Sequence, residues 1–354
     1  MKKGILERLE EGMVIGDGSY VVTLEKRGYV TAGKWTPEAV VKYPEAVTQL
    51  HREFVRAGAD VLTTFTFYCV DEKFTFKGDN DEDQQPNNNE SVHAEELNLK
   101  ACDLAKEVAA ESDALVAGGI SPLVTFDKNE REKAHAEFMK QVSIFDRKDV
   151  DFLLGEFFGN VAEAEVAVQA MKTANKPVAC TMRIPPIGDE GGVLPQDCAV
   201  RLVRAGADIV GINCMYDPAT CLKTMALMKQ GLADAGLKAH LMAQPVGFHT
   251  QDVATNVEGY LALPEFPFAM EPRLLTRVDT AAFARQAYDL GVRYIGGCCG
   301  YEPYHIRAMA EELAPERGRG IPGSDNSQGY KSLSNSVFKS QWQKANAKYW
   351  TELV

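Results

Sequence analysis

Along this chain, short apolar runs alternate with longer segments whose apolar residues recur every three or four positions. The runs are VIGDGSYV (14–21), DVLTTFTFY (60–68), DALVAGGIS (113–121), DFLLGEFF (151–158), PVACTMRI (177–184), DIVGINC (208–214), HLMAQPVG (240–247) and YIGGCCG (294–300). They are apolar on both faces and rich in Val, Ile, Leu and Thr, which predicts parallel strands covered by helices. Between them, 37–58 carries Val40, Val41, Val47, Leu50, Phe54 and Val55 at helical spacing. Ala-rich helices are predicted at 94–111, 161–174, 197–205, 217–235, 279–290 and 303–313. Gly58, Gly206 and Gly291 follow three of these segments, where a glycine can end a helix. Eight alternations without a hairpin signal predict a closed (β/α)8 TIM barrel rather than a doubly wound open sheet, which would usually need fewer units.

Two segments break the rhythm. Residues 71–89 (DEKFTFKGDNDEDQQPNNN) are acidic and of low complexity, and in a barrel they would follow strand two on the C-terminal face. A surface insertion and a lid are both consistent with that composition. The second segment opens with the linker-like GIPGSDNSQG (320–329) and ends in FKSQWQKANAKYW (338–350), holding Trp342, Tyr349 and Trp350. So much aromatic surface in a tail predicts docking on something. The expected organisation is a barrel over 1–318 with a C-terminal extension over 319–354, a linker and dimerisation arm, in a homodimer or homotetramer.

Composition narrows the class. The 354 residues are 45% apolar and 25% charged, with 50 acidic against 38 basic side chains and a net charge of −12. That balance gives no general attraction to nucleic acid or to anionic lipid. The first twelve residues are charged and lack an apolar signal core, and no stretch reaches the ~18 apolar residues of a membrane span, so a cytoplasmic location is expected.

Polar residues at the C-terminal ends of barrel strands are the catalytic candidates. These are Asp17 after strand one, Tyr68 ending strand two, Glu156 on strand four, Cys214 ending strand six, and Cys298 with Cys299 ending strand eight. Three thiolates on one face leave one position of a tetrahedral Zn²⁺ open, the pattern of a catalytic site. Gly296, Gly297 and Gly300 let the backbone bend around the vicinal pair. Chance proximity of buried thiols is the competing reading. His51, His93, His135 and His305 fall in no metal-binding pattern, and structural roles are expected for them.

At these residues the chain resembles a known family. GINC (211–214) with GGCCG (296–300) is similar to the zinc signature of the homocysteine S-methyltransferases. KKGILERL, IGDG, LEKRGYV, WTPEA, FTFY, LPEFPF and GVRYIGGCCGYEPYHIRAMAEELAPERG resemble the betaine–homocysteine branch over nearly all of residues 2–318. The resemblance implies Zn²⁺ on Cys214, Cys298 and Cys299, with the homocysteine sulfur as fourth ligand. It implies that Asp17 and Glu156 meet the homocysteine amine, and that Trp35, Phe67 and Tyr68, helped by Tyr20, face the betaine cation. The glycine turn Gly16–Asp17–Gly18 is expected to hold the substrate carboxylate through its amides. One position departs from the mammalian pattern: Phe157 follows Glu156 where those members carry Tyr, whose hydroxyl can fill the open zinc position, so water or another ligand is expected there. The alternatives are a sulfonium donor such as S-methylmethionine or dimethylsulfoniopropionate, and a non-catalytic osmolyte- or zinc-binding protein.

Overall fold

A computed structural model describes residues 2–30, 37–70, 94–267 and 269–321. The 71–89 insertion, Trp35 and the tail beyond Ile321, with its expected arm, lie outside the described residues. The strands are β1 (Val14–Ile15), β2 (Val61–Thr63), β3 (Leu115–Ile120), β4 (Phe152–Phe158), β5 (Val178–Met182), β6 (Ile209–Asn213), β7 (His240–Gln244) and β8 (Tyr294–Ile295). They form one parallel sheet in the order β1-β8-β7-β6-β5-β4-β3-β2, the near-closed barrel that the apolar runs predict. The helices begin with α1 (Ile5–Glu11), ahead of β1, and continue with α2 (Val21–Lys26), α3 (Ala39–Lys42), α4 (Pro44–Ala57), α5 (Ala94–Ala110), α6 (Arg131–Arg147) and α7 (Val161–Lys172). They continue with α8 (Pro195–Ala205), α9 (Pro218–Asp234), α10 (Arg277–Leu290), α11 (Pro303–Glu312) and α12 (Ala314–Arg317). None of them is long and apolar enough to cross a membrane.

Alternation along the strands sorts the core into two compartments. Val14, Val61, Leu115, Ala117, Phe152, Leu154, Ala179, Ile209, Met242 and Tyr294 point into the barrel, where Ile5 and Leu9 of α1 join them. The opposite faces pack under the helices in a larger cluster. Helices α4, α8 and α10 end at Gly58, Gly206 and Gly291, with φ of 110°, 116° and 100°. A side chain there would be strained, so these three stops were legible from glycine alone.

The structure departs from the sequence-based expectation at three places. Strand one ends at Ile15 and the chain turns through Gly16–Tyr20 into α2, instead of continuing to Val21. Strand two holds three residues rather than nine, because Thr64–Tyr68 curls over the mouth. Helix α6 was not expected; its polar majority masks Ala134, Phe138, Val142 and Phe145, which recur at helical spacing and are buried.

The barrel closes by side chains at the seam between β1 and β2. Near the base, the Asp60 N–H donates to the Ile15 carbonyl at 2.6 Å, and the Asp60 carboxylate accepts the Ile15 N–H at 2.8 Å. Near the mouth, the Asp17 carboxylate accepts the Thr63 N–H at 2.6 Å. Asp60 is in turn paired with Arg317 of α12 at 2.9 Å, both side chains being under 5% exposed. Removing one member of a buried pair leaves an uncompensated charge. Asp60→Ala is therefore expected to cost ~3–5 kcal/mol of stability in urea unfolding; a loss below ~1 kcal/mol would mean that the seam does not depend on this carboxylate.

Candidate active site and metal centre

Three cysteines meet at the mouth because two strands end in bent backbone. After β6, Cys214 and Met215 both adopt left-handed backbone with φ of 61°, and the Cys214 N–H donates to the Gln244 carbonyl at 2.8 Å. After β8, Gly297 lies where a Cβ would sit 2.1 Å from Cγ of Tyr301, so the chain can pass only without a side chain. This close approach turns Cys298 and Cys299 into the same space. The three Sγ atoms all lie within 4.8 Å of one another, with Cys214 and Cys299 3.7 Å apart. The Cys214 and Cys298 thiols donate to Cys299 and hold it well below the ordinary thiol range, while burial pushes Cys214 up. Cys69, Cys102, Cys180, Cys198 and Cys221 are buried away from this cluster.

The two acidic candidates share one cavity with the cysteines. Asp17 is 2% exposed and accepts the Thr63 N–H, the Thr63 hydroxyl at 3.2 Å and the Tyr20 hydroxyl at 2.8 Å. Burial nevertheless pushes its carboxyl up to about 7. Glu156 sits in β4 where the register with β5 shifts between Gly155 and Phe158, a bulge that aims it into the cavity. Burial first, then Asp17 and Cys299, push it up to about 8. Asn213 Nδ2 donates to its carboxyl at 3.4 Å.

Aromatic rings form the opposite wall. Phe67 and Phe157 meet edge to face at 5.3 Å, Phe67 and Tyr68 at 4.6 Å, and Tyr68 and Phe157 at 6.4 Å. Phe157 (φ 71°) and Tyr68 (φ 51°) both hold left-handed backbone. The Phe157 N–H donates to Asn213 Oδ1 at 2.9 Å, and the guanidinium of Arg183 lies 5.0 Å over the Phe157 ring.

The site thus gathers Asp17, Gly18, Tyr20, Phe67, Glu156, Cys214, Cys298 and Cys299 around one cavity, with Tyr68 edge to face against Phe67. Two expectations need correction. The Gly16 N–H donates to the Ile295 carbonyl at 2.7 Å, so the glycine turn does not offer that amide to a carboxylate. The Tyr20 hydroxyl faces Asp17 on the acidic side, because its ring is clamped between Phe54 and Phe65, and does not face the aromatic wall. Sequence reasoning missed Asn213, Gln244 and Tyr260, which also line the cavity. The Tyr260 hydroxyl, carried by a 3₁₀ turn (Gly259–Ala262) in the long β7–α10 connection, hydrogen-bonds Cys299. Asn213 was readable as the polar neighbour of Cys214 in an otherwise apolar strand; Tyr260 carried no local signal.

Comparison with known proteins agrees with this geometry. Residues 14–313 match the family described as homocysteine S-methyltransferase. The chain is 52% identical over 356 residues to betaine–homocysteine S-methyltransferase 1 of Danio rerio, covering 99% of this chain and 86% of that one. It is also 52% identical over 358 residues to an S-methylmethionine–homocysteine S-methyltransferase of Pongo abelii, covering 100% and 93%. Among solved structures, the metallated form of the Escherichia coli homocysteine methyltransferase MmuM superposes with a TM-score of 0.64 at 19% identity, covering 85% of this chain and 96% of that one. That likeness concerns the barrel fold.

Asn213 joins the metal side to the acidic side, since it also accepts the Thr181 hydroxyl at 2.9 Å. Asn213→Leu removes the acceptor of two buried donors and is expected to cost roughly 1–3 kcal/mol in urea unfolding. An unchanged midpoint would show that these bonds are dispensable.

Proposed function

The chain belongs to the homocysteine S-methyltransferase family, and from that premise we propose that it moves a methyl group from betaine to homocysteine, with Zn²⁺ held by Cys214, Cys298 and Cys299. The products are dimethylglycine and methionine. The observation that carries the reading is the convergence, in one cavity, of three sulfurs, two buried carboxyls and a wall of aromatic rings.

The sulfurs suit zinc by their spacing. Four ligands at the usual Zn–S distance of about 2.3 Å would lie about 3.8 Å apart along a tetrahedral edge, and Cys214 and Cys299 are 3.7 Å apart. Cys214, Cys298 and Cys299 would hold the Zn²⁺, which would supply the chemistry that favours the thiolate form of homocysteine at neutral pH.

The protein groups do the rest. Asp17 and Glu156 are the partners for the homocysteine ammonium, and both carboxyls, pushed up while buried without a cation, ionise as the ammonium arrives. Phe67, Tyr68 and Phe157 face the donor's quaternary ammonium, which has no N–H to offer and is met by ring faces at about 0.5–2 kcal/mol per contact. In the transfer, the sulfur–carbon bond forms as the nitrogen–carbon bond breaks, and the nitrogen keeps the electron pair. A cation and an anion become neutral products, so the water-poor, largely apolar wall favours the step more than bulk water does. The neutral amine then loses much of its hold on the rings. A sulfonium donor presents the same cation to the same wall, and the Pongo abelii relative keeps that as the second reading.

Two measurements test the assignment. Cys298→Ala is expected to lose bound zinc by metal analysis, and methionine formation by ~1,000-fold or more, as removal of a ligand should; retained zinc with full turnover would refute the site. Methionine formation across betaine and sulfonium donors then identifies the donor. The wild-type enzyme should also show an acidic limb in kcat/KM for homocysteine at about pH 7 to 8, because Asp17 and Glu156 must both be charged to meet the ammonium. Activity is lost as pH falls through that range; a profile flat from pH 6 to 8 would exclude Asp17 from ammonium binding.

A further inference from the structure

Asp17 is reached by a hydrogen-bond chain that the methyl transfer itself does not require. The Tyr20 hydroxyl lies 2.8 Å from Asp17 Oδ2 and 2.7 Å from His51 Nδ1. His51 belongs to α4, is fully buried, and its Nε2 has no partner among the described residues. Burial holds the imidazole neutral and the Tyr20 phenol well above its ordinary range, so three groups share two mobile protons whenever Asp17 is ionised.

Those protons have two arrangements. In the first, His51 Nδ1–H donates to the Tyr20 oxygen and Tyr20 O–H donates to an ionised Asp17. In the second, the imidazole proton sits on Nε2, the Tyr20 O–H turns to donate to His51 Nδ1, and the ionised Asp17 loses its Tyr20 donor. The second leaves a buried N–H orphaned, whereas the first leaves only a bare lone pair, the less costly of the two. The first also places a donor on the carboxylate that must be charged.

We infer that His51 and Tyr20 are positioning residues for substrate recognition: His51 fixes the direction of the Tyr20 hydroxyl, and Tyr20 keeps Asp17 ionised and oriented toward the ammonium of homocysteine. This rests on the methyltransferase reading above only for the identity of the ammonium. The ring of Tyr20 cannot swing away, being packed edge to face on Phe54 at 5.4 Å and stacked on Phe65 at 5.8 Å. The other groups facing Asp17 are Thr63 from β2, Glu156 from β4 and Tyr294 from β8, and all three are untouched by changes at Tyr20 or His51.

The test uses the zinc-loaded protein. Nitrogen NMR of labelled histidine should report His51 as the Nδ1–H tautomer; the Nε2–H tautomer at pH 8 would overturn the inference. Carbon NMR of the Asp17 carboxyl should show its pKa rising by about one unit in Tyr20→Phe, the size expected for loss of one donor to a charged group. The acidic limb of kcat/KM for homocysteine should move up with it, while kcat at saturating homocysteine and high pH stays within about twofold. His51→Leu should shift the limb in the same direction, and His51→Asn, which keeps a donor near Nδ1, should restore it. Because His51 acts only through Tyr20, the Tyr20→Phe/His51→Leu double variant should match Tyr20→Phe alone. Additive shifts, or an unmoved Asp17 titration in Tyr20→Phe, would refute the chain. Absence of homocysteine turnover in the wild-type protein would instead sink the functional reading, while the carboxyl titration would still decide the hydrogen-bond chain.

Discussion

A carboxylate removed from water survives only if its oxygens are given hydrogen bonds, and this barrel turns that requirement into its closure. The two ends of its sheet, β1 and β2, are joined by Asp60 at the base and Asp17 at the mouth, each accepting a backbone N–H from across the seam. Asp60 is neutralised by Arg317 from the last described helix. Asp17 has no such cation of its own and takes only neutral donors, Thr63 and Tyr20. One seam residue is thus a finished structural pair, and the other waits for a positive charge to be brought to it.

The same incompleteness extends across the cavity. Asp17, Glu156 and three sulfurs sit within a mostly apolar enclosure, where like charges repel strongly and unpaired ones are costly. Burial pushes Asp17 and Glu156 up, while Cys299 draws hydrogen bonds from its neighbouring thiols. A divalent metal among the sulfurs and an ammonium between the carboxyls would satisfy both halves separately. The aromatic wall beyond them presents rings, a receptor suited to a cation that can form no hydrogen bond. The cavity thus sets three kinds of receptor side by side: soft sulfur, hard oxygen and aromatic ring.

Much of this was legible in the sequence because it rests on local signals. Apolar runs fix the strands, left-handed glycines fix helix ends, and the cysteines stand at strand termini where barrel chemistry collects. Glu156 announced itself as a charge inside an apolar run. What stayed hidden depends on distance in the chain. Helix α6 lost its pattern under surface charge, although Phe138 and Phe145 are fully buried. Tyr20 was readable as an aromatic ring three residues after Asp17, but its service to the carboxylate depends on clamping by Phe54 and Phe65. His51 looked like a bystander because only folding brings it, thirty-one positions later, against a hydroxyl. Tyr260 arrives on a long connection with no repeating pattern.

Four of the non-glycine residues in left-handed backbone, Tyr68, Phe157, Cys214 and Met215, stand at or beside the cavity. Each such conformation carries a cost on the order of 1–3 kcal/mol. Glycine would relax any of them, but it would also delete a ring or a sulfur from the mouth. A search for heat-tolerant variants would be drawn to these positions and would return folded, sluggish proteins. Engineering for robustness has to begin on the outer helices and leave the rim in its tension.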